Sequence, residues 1–236
     1  VNRAAVLGVD GWRGGWVGAR LSGETVTWHA SPSIRDLVDD TGPVAPQAIG
    51  IDMPIGLVDR GAREADALAR ERLVGAASRV FPVPPRPVLL EAGHLSPDRL
   101  QKLSRRVWGR GTSVFSLALG PRILELDAVL SLDPTLAATT VEVHPELSFA
   151  AMGHGSALPS KKTAAGVSAR LTTLTRALGV DVVGVLRDAP QRVPVDDCLD
   201  ALAAAWSARR WLRGEAVSYP DPAPTDSAGL RMAIVV

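Results

Sequence analysis

The chain has 236 residues, 46% of them hydrophobic, enough apolar material for one substantial core. Its charged residues make up 22% and nearly balance at a net charge of +1, so no global electrostatic grip on nucleic acid or on a membrane surface is indicated. Cys198 is the one cysteine, which excludes a disulfide framework and a thiolate zinc cluster.

The expected elements follow in chain order. No basic leader with a long apolar stretch opens the chain and no apolar run would span a bilayer, so a soluble, cytoplasmic protein without membrane contact is expected. AAVLGVD (4–10), GWVGARL (15–21) and ETVTWHA (24–30) are short strand-forming runs separated by Gly-rich corners, which predicts an antiparallel meander. SPSIRDLVDD (31–40) predicts a helix capped by Ser31 or Ser33, with Pro32 in its first turn and Ile34, Leu37 and Val38 on one face. QAIGIDMPIGL (47–57) predicts a buried fourth strand stopped by Pro54. READALARERLVGAA (63–77) predicts a helix, whereas the prolines of SRVFPVPPRPVLL (78–90) argue against regular helix or central strand. RILELDAVLSL (122–132) predicts a helix, and TTVEVHPELSF (139–149) a strand broken by Pro145. SARLTTLTRAL (168–178) predicts a helix ended by Gly179. DDCLDALAAAWSARRWLRG (196–214) predicts the last long helix, capped by Asp196 and stopped by Gly214, and LRMAIVV (230–236) a short closing strand. The order predicts one α/β domain over 1–236, with a mixed sheet and an insertion at about 78–138.

Carboxylates in segments that otherwise read as buried are the informative ones. Asp10 ends the first strand, and Asp10-Gly11 is either a turn former or the start of a site. Asp52 lies among Ile51, Met53 and Ile55 at a strand end, where ligands bind in α/β sheets; the alternative is a turn before Pro54. Glu142, His144 and Glu146 alternate, so an extended segment puts all three on one face, suited to a divalent metal or to acid–base work; a solvated strand end fits equally well. Asp197 is a favourable first-turn acid, but Asp200 sits among Cys198, Leu199, Ala201 and Leu202, and the i, i+3 spacing aims both at one place. Carboxylates within about 4 Å of one another repel by roughly 4 kcal/mol per pair at an effective dielectric near 20, so such a cluster calls for cations. Oxygen ligands select Mg²⁺ or Mn²⁺, and two such ions about 3.5–4 Å apart would suit phosphodiester hydrolysis.

GVDGWRGGW (8–16), IDMPIGL (51–57), VEVHPELSF (141–149), SKKTAAG (160–166), DDCLDALAAAW (196–206) and GLRMAIVV (229–236), in this order, resemble the DUF429 family. The resemblance implies a predicted nuclease with a ribonuclease H-like fold: a mixed five-stranded sheet flanked by helices, with the insertion between strands 4 and 5. In that fold an acid on the first strand, one on the fourth and one or two on the last helix hold the metals. Asp10, Asp52 and Asp200 match these positions, with Asp197 as neighbour, and Glu142 and His144 match a motif of the family itself. The expected catalytic set is therefore Asp10, Asp52, Glu142, His144, Asp197 and Asp200, with Asp10, Asp52, Glu142 and Asp200 on the metal.

For a substrate, the acid-free stretch 99–122 offers Arg105, Arg106 and Arg110 to a phosphate backbone and Trp108 to a base, against the alternative of a solvated helix face. Lys161 and Lys162 offer phosphate contacts in the same way. Nucleic acid and a phosphorylated small molecule are both open as partners. The rival functions are a non-catalytic or degenerate binding member of the fold and a sugar-kinase or ATPase-like protein; the absence of a Walker-type loop speaks against the last.

Overall fold

The structure, a computed structural model, describes residues 4–153 and 155–236. Strands β1 (Ala5–Trp12), β2 (Gly15–Ser22) and β3 (Thr25–Ser31) form the expected meander. Helix α1 (Ile34–Asp39) follows, and the Ser33 hydroxyl accepts the Asp36 N–H as its cap. Strand β4 (Ala48–Asp52) then lies parallel to β1 and pairs its last residue, Asp52, with Asp10; β1 does not end at Asp10 as expected but runs on to Trp12, so the turn falls at Arg13-Gly14 and not at Asp10-Gly11.

Six helices separate β4 from the next strand: α2 (Glu64–Arg72), α3 (Arg86–Glu91), α4 (Pro97–Trp108), α5 (Val114–Ala118), α6 (Gly120–Leu132) and α7 (Pro134–Thr139). The end of the proline-rich segment is therefore helical, contrary to expectation. Pro87 lies in the first turn of α3, where its missing N–H would have had no intrahelical partner.

Strand β5 (Thr140–Val143) is parallel to β4 and shorter than expected, because Pro145 opens helix α8 (Pro145–Met152) and carries Glu146 into it. Helices α9 (Ala164–Leu178), α10 (Val182–Leu186) and α11 (Val195–Leu212) complete the helical part. Pro194, not Asp196, is the N-cap of α11, and Asp196 falls in its first turn.

Two short strands, β6 (Ser218–Tyr219) and β7 (Ile234–Val235), bring the sheet to seven strands in the order β3-β2-β1-β4-β5-β7-β6, instead of the expected five. β7 lies within the closing strand expected over 230–236, whereas β6, two residues long, is too short to show any alternation in sequence. Among the described residues no helix is long and apolar enough to cross a membrane.

Both faces of β1 and β4 are covered, which explains their continuous apolar runs. Leu7, Val9, Ile49 and Ile51 pack with Ile34, Leu37 of α1 and Ile123, Leu126, Leu130 of α6. On the other face α11 crosses β1, β2 and β4, with α8 and α9 behind it. The alanines of α11 let it approach closely. A Cβ at Gly8 would overlap the Ala201 carbonyl and the Ala205 backbone, and one at Gly50 would meet the Ala204 carbonyl. Gly8→Ala is thus expected to destabilise the protein by ~1–3 kcal/mol in chemical denaturation, since backbone cannot rotate away as a side chain can. A loss within error of zero would mean that α11 does not sit this close.

Candidate metal centre

Alternation along a strand puts Gly8 and Asp10 on one face, and likewise Gly50 and Asp52. That is the face α11 crosses. Asp10 and Asp52 therefore emerge side by side, Asp52 at the end of β4 and Asp10 two residues short of the end of β1, near the first turns of α11, where Asp200 meets them. One carboxylate oxygen from each of Asp10, Asp52 and Asp200 lies within 4.8 Å of the other two. Asp10 and Asp200 are buried and Asp52 is half-buried.

The polar contacts of the cluster are few. Asp10 Oδ1 accepts the Gly11 N–H at 2.6 Å. Asp200 Oδ2 accepts Lys161 Nζ at 2.6 Å, and the same ammonium lies 3.3 Å from Asp196. Asp200 Oδ1 is buried with no hydrogen-bond partner. An acceptor left unpaired in the interior is costly, and a hard cation held by the three carboxylates satisfies it. The donor set thus fits Mg²⁺ or Mn²⁺.

Electrostatics agree with this geometry. Burial, and then the Asp52 and Asp200 charges, push the Asp10 carboxyl well above the usual carboxylate range. Burial followed by Asp200 does the same to Asp52. Burial raises Asp200 too, against the opposing pull of Lys161. Asp197, at the edge of the site, is pushed up to about 6 by burial and by Asp196. Burial works to lower Lys161, but the Asp200 carboxylate outweighs it and holds the ammonium charged.

These shifts fix a sign. An acid whose native pKa is raised keeps its proton where the unfolded chain has lost it, so stability falls as pH climbs from about 4 to the native value. In metal-free protein the Asp10→Asn variant is expected to melt close to wild type near pH 4 and progressively above it toward pH 7. A melting difference that does not vary with pH would contradict the mutual repulsion.

Glu142 does not join the cluster. In the β4–β5 register it pairs with Ile51, whose side chain belongs to the opposite core. Its carboxylate is taken by Arg63: Nη1 donates to Oε1 at 3.2 Å and Nη2 bonds Oε2, which also accepts the Ile55 N–H at 2.8 Å. Arg63 is fully buried, and its Nη1 also reaches Asp66 at 3.0 Å. Asp66 accepts the Val83 N–H at 2.8 Å, and burial raises its carboxyl to about 6 despite Arg63. Sequence reading missed this Arg63–Glu142–Asp66 network. It ties β5 to the turn that follows Asp52.

His144 sits at the N-cap position of α8, without a side-chain cap bond, and lines the cavity. Its Nδ1 is buried without a partner, and burial lowers its pKa. Glu146, carried into α8, accepts Arg79 at 2.5 Å and bonds Arg170. The basic stretch lies elsewhere. Arg105, Arg106 and Arg110 are exposed and none of them lines the cavity. Trp108 is buried, with the Arg110 guanidinium 5.0 Å from its ring centre, so it is not presented for stacking on a base. Lys161 and Lys162 do line the cavity.

The cavity has a volume of about 400 Å³ and is lined by Asp10, Asp52, Asp197 and Asp200, by Glu142, His144 and Glu146, and by apolar side chains. Searches of curated proteins and of solved structures found no match to the chain. A family model described as "Protein of unknown function (DUF429)" matches residues 8–225, which takes in β1 from Gly8 onward, β4, β5 and α11 with all three clustered acids. The chain belongs to the DUF429 family.

Proposed function

We propose that this protein is a divalent-metal-dependent hydrolase of phosphodiester bonds, a nuclease in the broad sense, built on a ribonuclease H-like frame. The observation that carries the reading is the meeting of Asp10, Asp52 and Asp200 from β1, β4 and α11, with Asp200 Oδ1 buried and unpartnered. An acidic cluster alone means little; an orphaned buried acceptor within it asks for a cation. The sheet supports the frame, since an antiparallel β3-β2-β1 meander continues into parallel β4 and β5.

In this reading Asp10, Asp52 and Asp200 hold Mg²⁺ or Mn²⁺. When bound, the metal makes water acidic at neutral pH and stabilises charge on the leaving oxygen. The remaining work belongs to side chains. Lys161 fixes Asp200 through Oδ2 and leaves Oδ1 without a protein partner. Asp197 lines the cavity outside the three clustered acids and is the carboxylate assigned to accept the proton that the attacking water gives up. The Arg63–Glu142–Asp66 network holds the turn behind Asp52 rigid.

The test is a cleavage screen over RNA, DNA, hybrids, junctions and small phosphodiesters, with and without Mn²⁺. Hydrolysis of at least one substrate that EDTA abolishes and Asp10→Asn lowers by about 100-fold or more is expected. Hydrolysis of none, or hydrolysis indifferent to EDTA and to Asp10→Asn, would overturn the reading.

A further inference from the structure

The cavity says more about the substrate than the acids do. At about 400 Å³ it lies within the ~300–1,000 Å³ typical of sites for small molecules. The acids share its lining with half-buried Phe81 and Leu119 and buried Val83, which also pack on the neighbouring core. Cations line it too. Arg79 is fixed there by its Nη1 bonds to Glu146, another lining residue, and to the Leu158 carbonyl at 2.9 Å, and exposed Lys162 lines the same cavity.

The cavity thus offers apolar surface to a flat group and cations to a phosphate. The surface basic residues Arg105, Arg106 and Arg110 do not lead into it. A duplex carries its phosphates on a stiff outer surface and delivers a base to a pocket only by flipping it out, at a cost of a few kcal/mol. A dinucleotide or the free end of a single strand enters with no such cost.

We infer, building on the hydrolase reading, that the substrate is a nucleotide-sized phosphodiester: a dinucleotide, or the terminal nucleotide of a single strand. The base lies against Phe81 and Leu119, and the phosphate reaches the acid cluster past Arg79 and Lys162. Water adds its oxygen to phosphorus, the bond from phosphorus to the leaving oxygen breaks with its electron pair, and one water proton ends on that oxygen. The products are a phosphate monoester and an alcohol.

The full chain with Mn²⁺ is to be given a dinucleotide, a linear single strand, a closed circular single strand and a blunt duplex. The dinucleotide and the linear strand separate a free small molecule from a strand end. Cleavage of either one, with the circle and the duplex about tenfold slower or worse, supports the inference. Cleavage of the circle or duplex at comparable rates overturns it while leaving the hydrolase reading intact; no cleavage in any arm overturns both. A second measurement compares thymidine 5′-(4-nitrophenyl) phosphate with methyl 4-nitrophenyl phosphate, which has no base. Phe81→Ala and Leu119→Ala are expected to lower the ratio of the two kcat/KM values by about tenfold. Asp10→Asn lowers kcat for both esters. An unchanged ratio in both apolar variants would overturn the placement of the base.

Discussion

Asp200→Asn is expected to abolish the rise in melting temperature that Mg²⁺ or Mn²⁺ gives the wild-type protein, and with it any metal-dependent hydrolysis. A ligand that binds only the native state at 100 times its Kd stabilises by about 2.7 kcal/mol. For a chain of this size that is a rise of about 5–10 °C. Asp200 carries the largest share of this effect because Oδ1 is the atom without a partner and Oδ2 is already engaged by Lys161. Asparagine keeps the shape and removes the charge. In thermal melts at neutral pH, millimolar Mn²⁺ should shift wild type and leave Asp200→Asn within error of its metal-free value. An equal shift in both proteins would place the cation elsewhere.

Arg63→Met should cost about 3–5 kcal/mol of stability, the largest expected loss from any single substitution away from the acid cluster. Arg63 is fully buried, and its guanidinium serves Glu142, Asp66 and the Ile55 carbonyl, the last at 3.1 Å. Methionine fills much of the same space but leaves two buried carboxylates without a cation. The cost therefore comes from the orphaned acids more than from lost packing. Pairing Arg63→Met with Glu142→Gln should recover part of the loss, because it removes one of the uncompensated charges. Lysine is no substitute, since a point charge cannot grip both oxygens of Glu142. Urea denaturation of the three variants measures this. A loss below about 1 kcal/mol in Arg63→Met would show that the network does not hold the turn after Asp52.

What was legible in the sequence follows from which signals are local. Asp10, Asp52 and Asp200 stand out because each interrupts an apolar segment, and a buried charge needs a reason wherever the chain goes. The meander and the long helices α9 and α11 were equally plain, written in turn residues and periodicity. Glu142, His144 and Glu146 all line the cavity, but they do not form one extended face, for two reasons. Pro145 serves as a helix start here, so the alternation stops at His144. The register of β5 against β4, set by pairing at a distance, turns Glu142 to the face opposite Asp10. Arg63, at the border of a polar helix, looked like any surface arginine, and only the fold brings Glu142 and Asp66 around it. Trp108 in a basic stretch suggested stacking, yet its ring is part of the interior. Nothing local distinguishes an aromatic residue that will be covered from one that will be offered.

The central claim is that Asp10, Asp52 and Asp200 form one binding site for a hard divalent cation. The most direct test is Mn²⁺ titration of metal-stripped protein at neutral pH, with free Mn²⁺ followed by electron paramagnetic resonance. Saturable binding by wild type, weakened by about tenfold or more in both Asp10→Asn and Asp200→Asn, is the result the structure predicts. The absence of saturable binding at millimolar Mn²⁺, or equal binding by wild type and both variants, would contradict it.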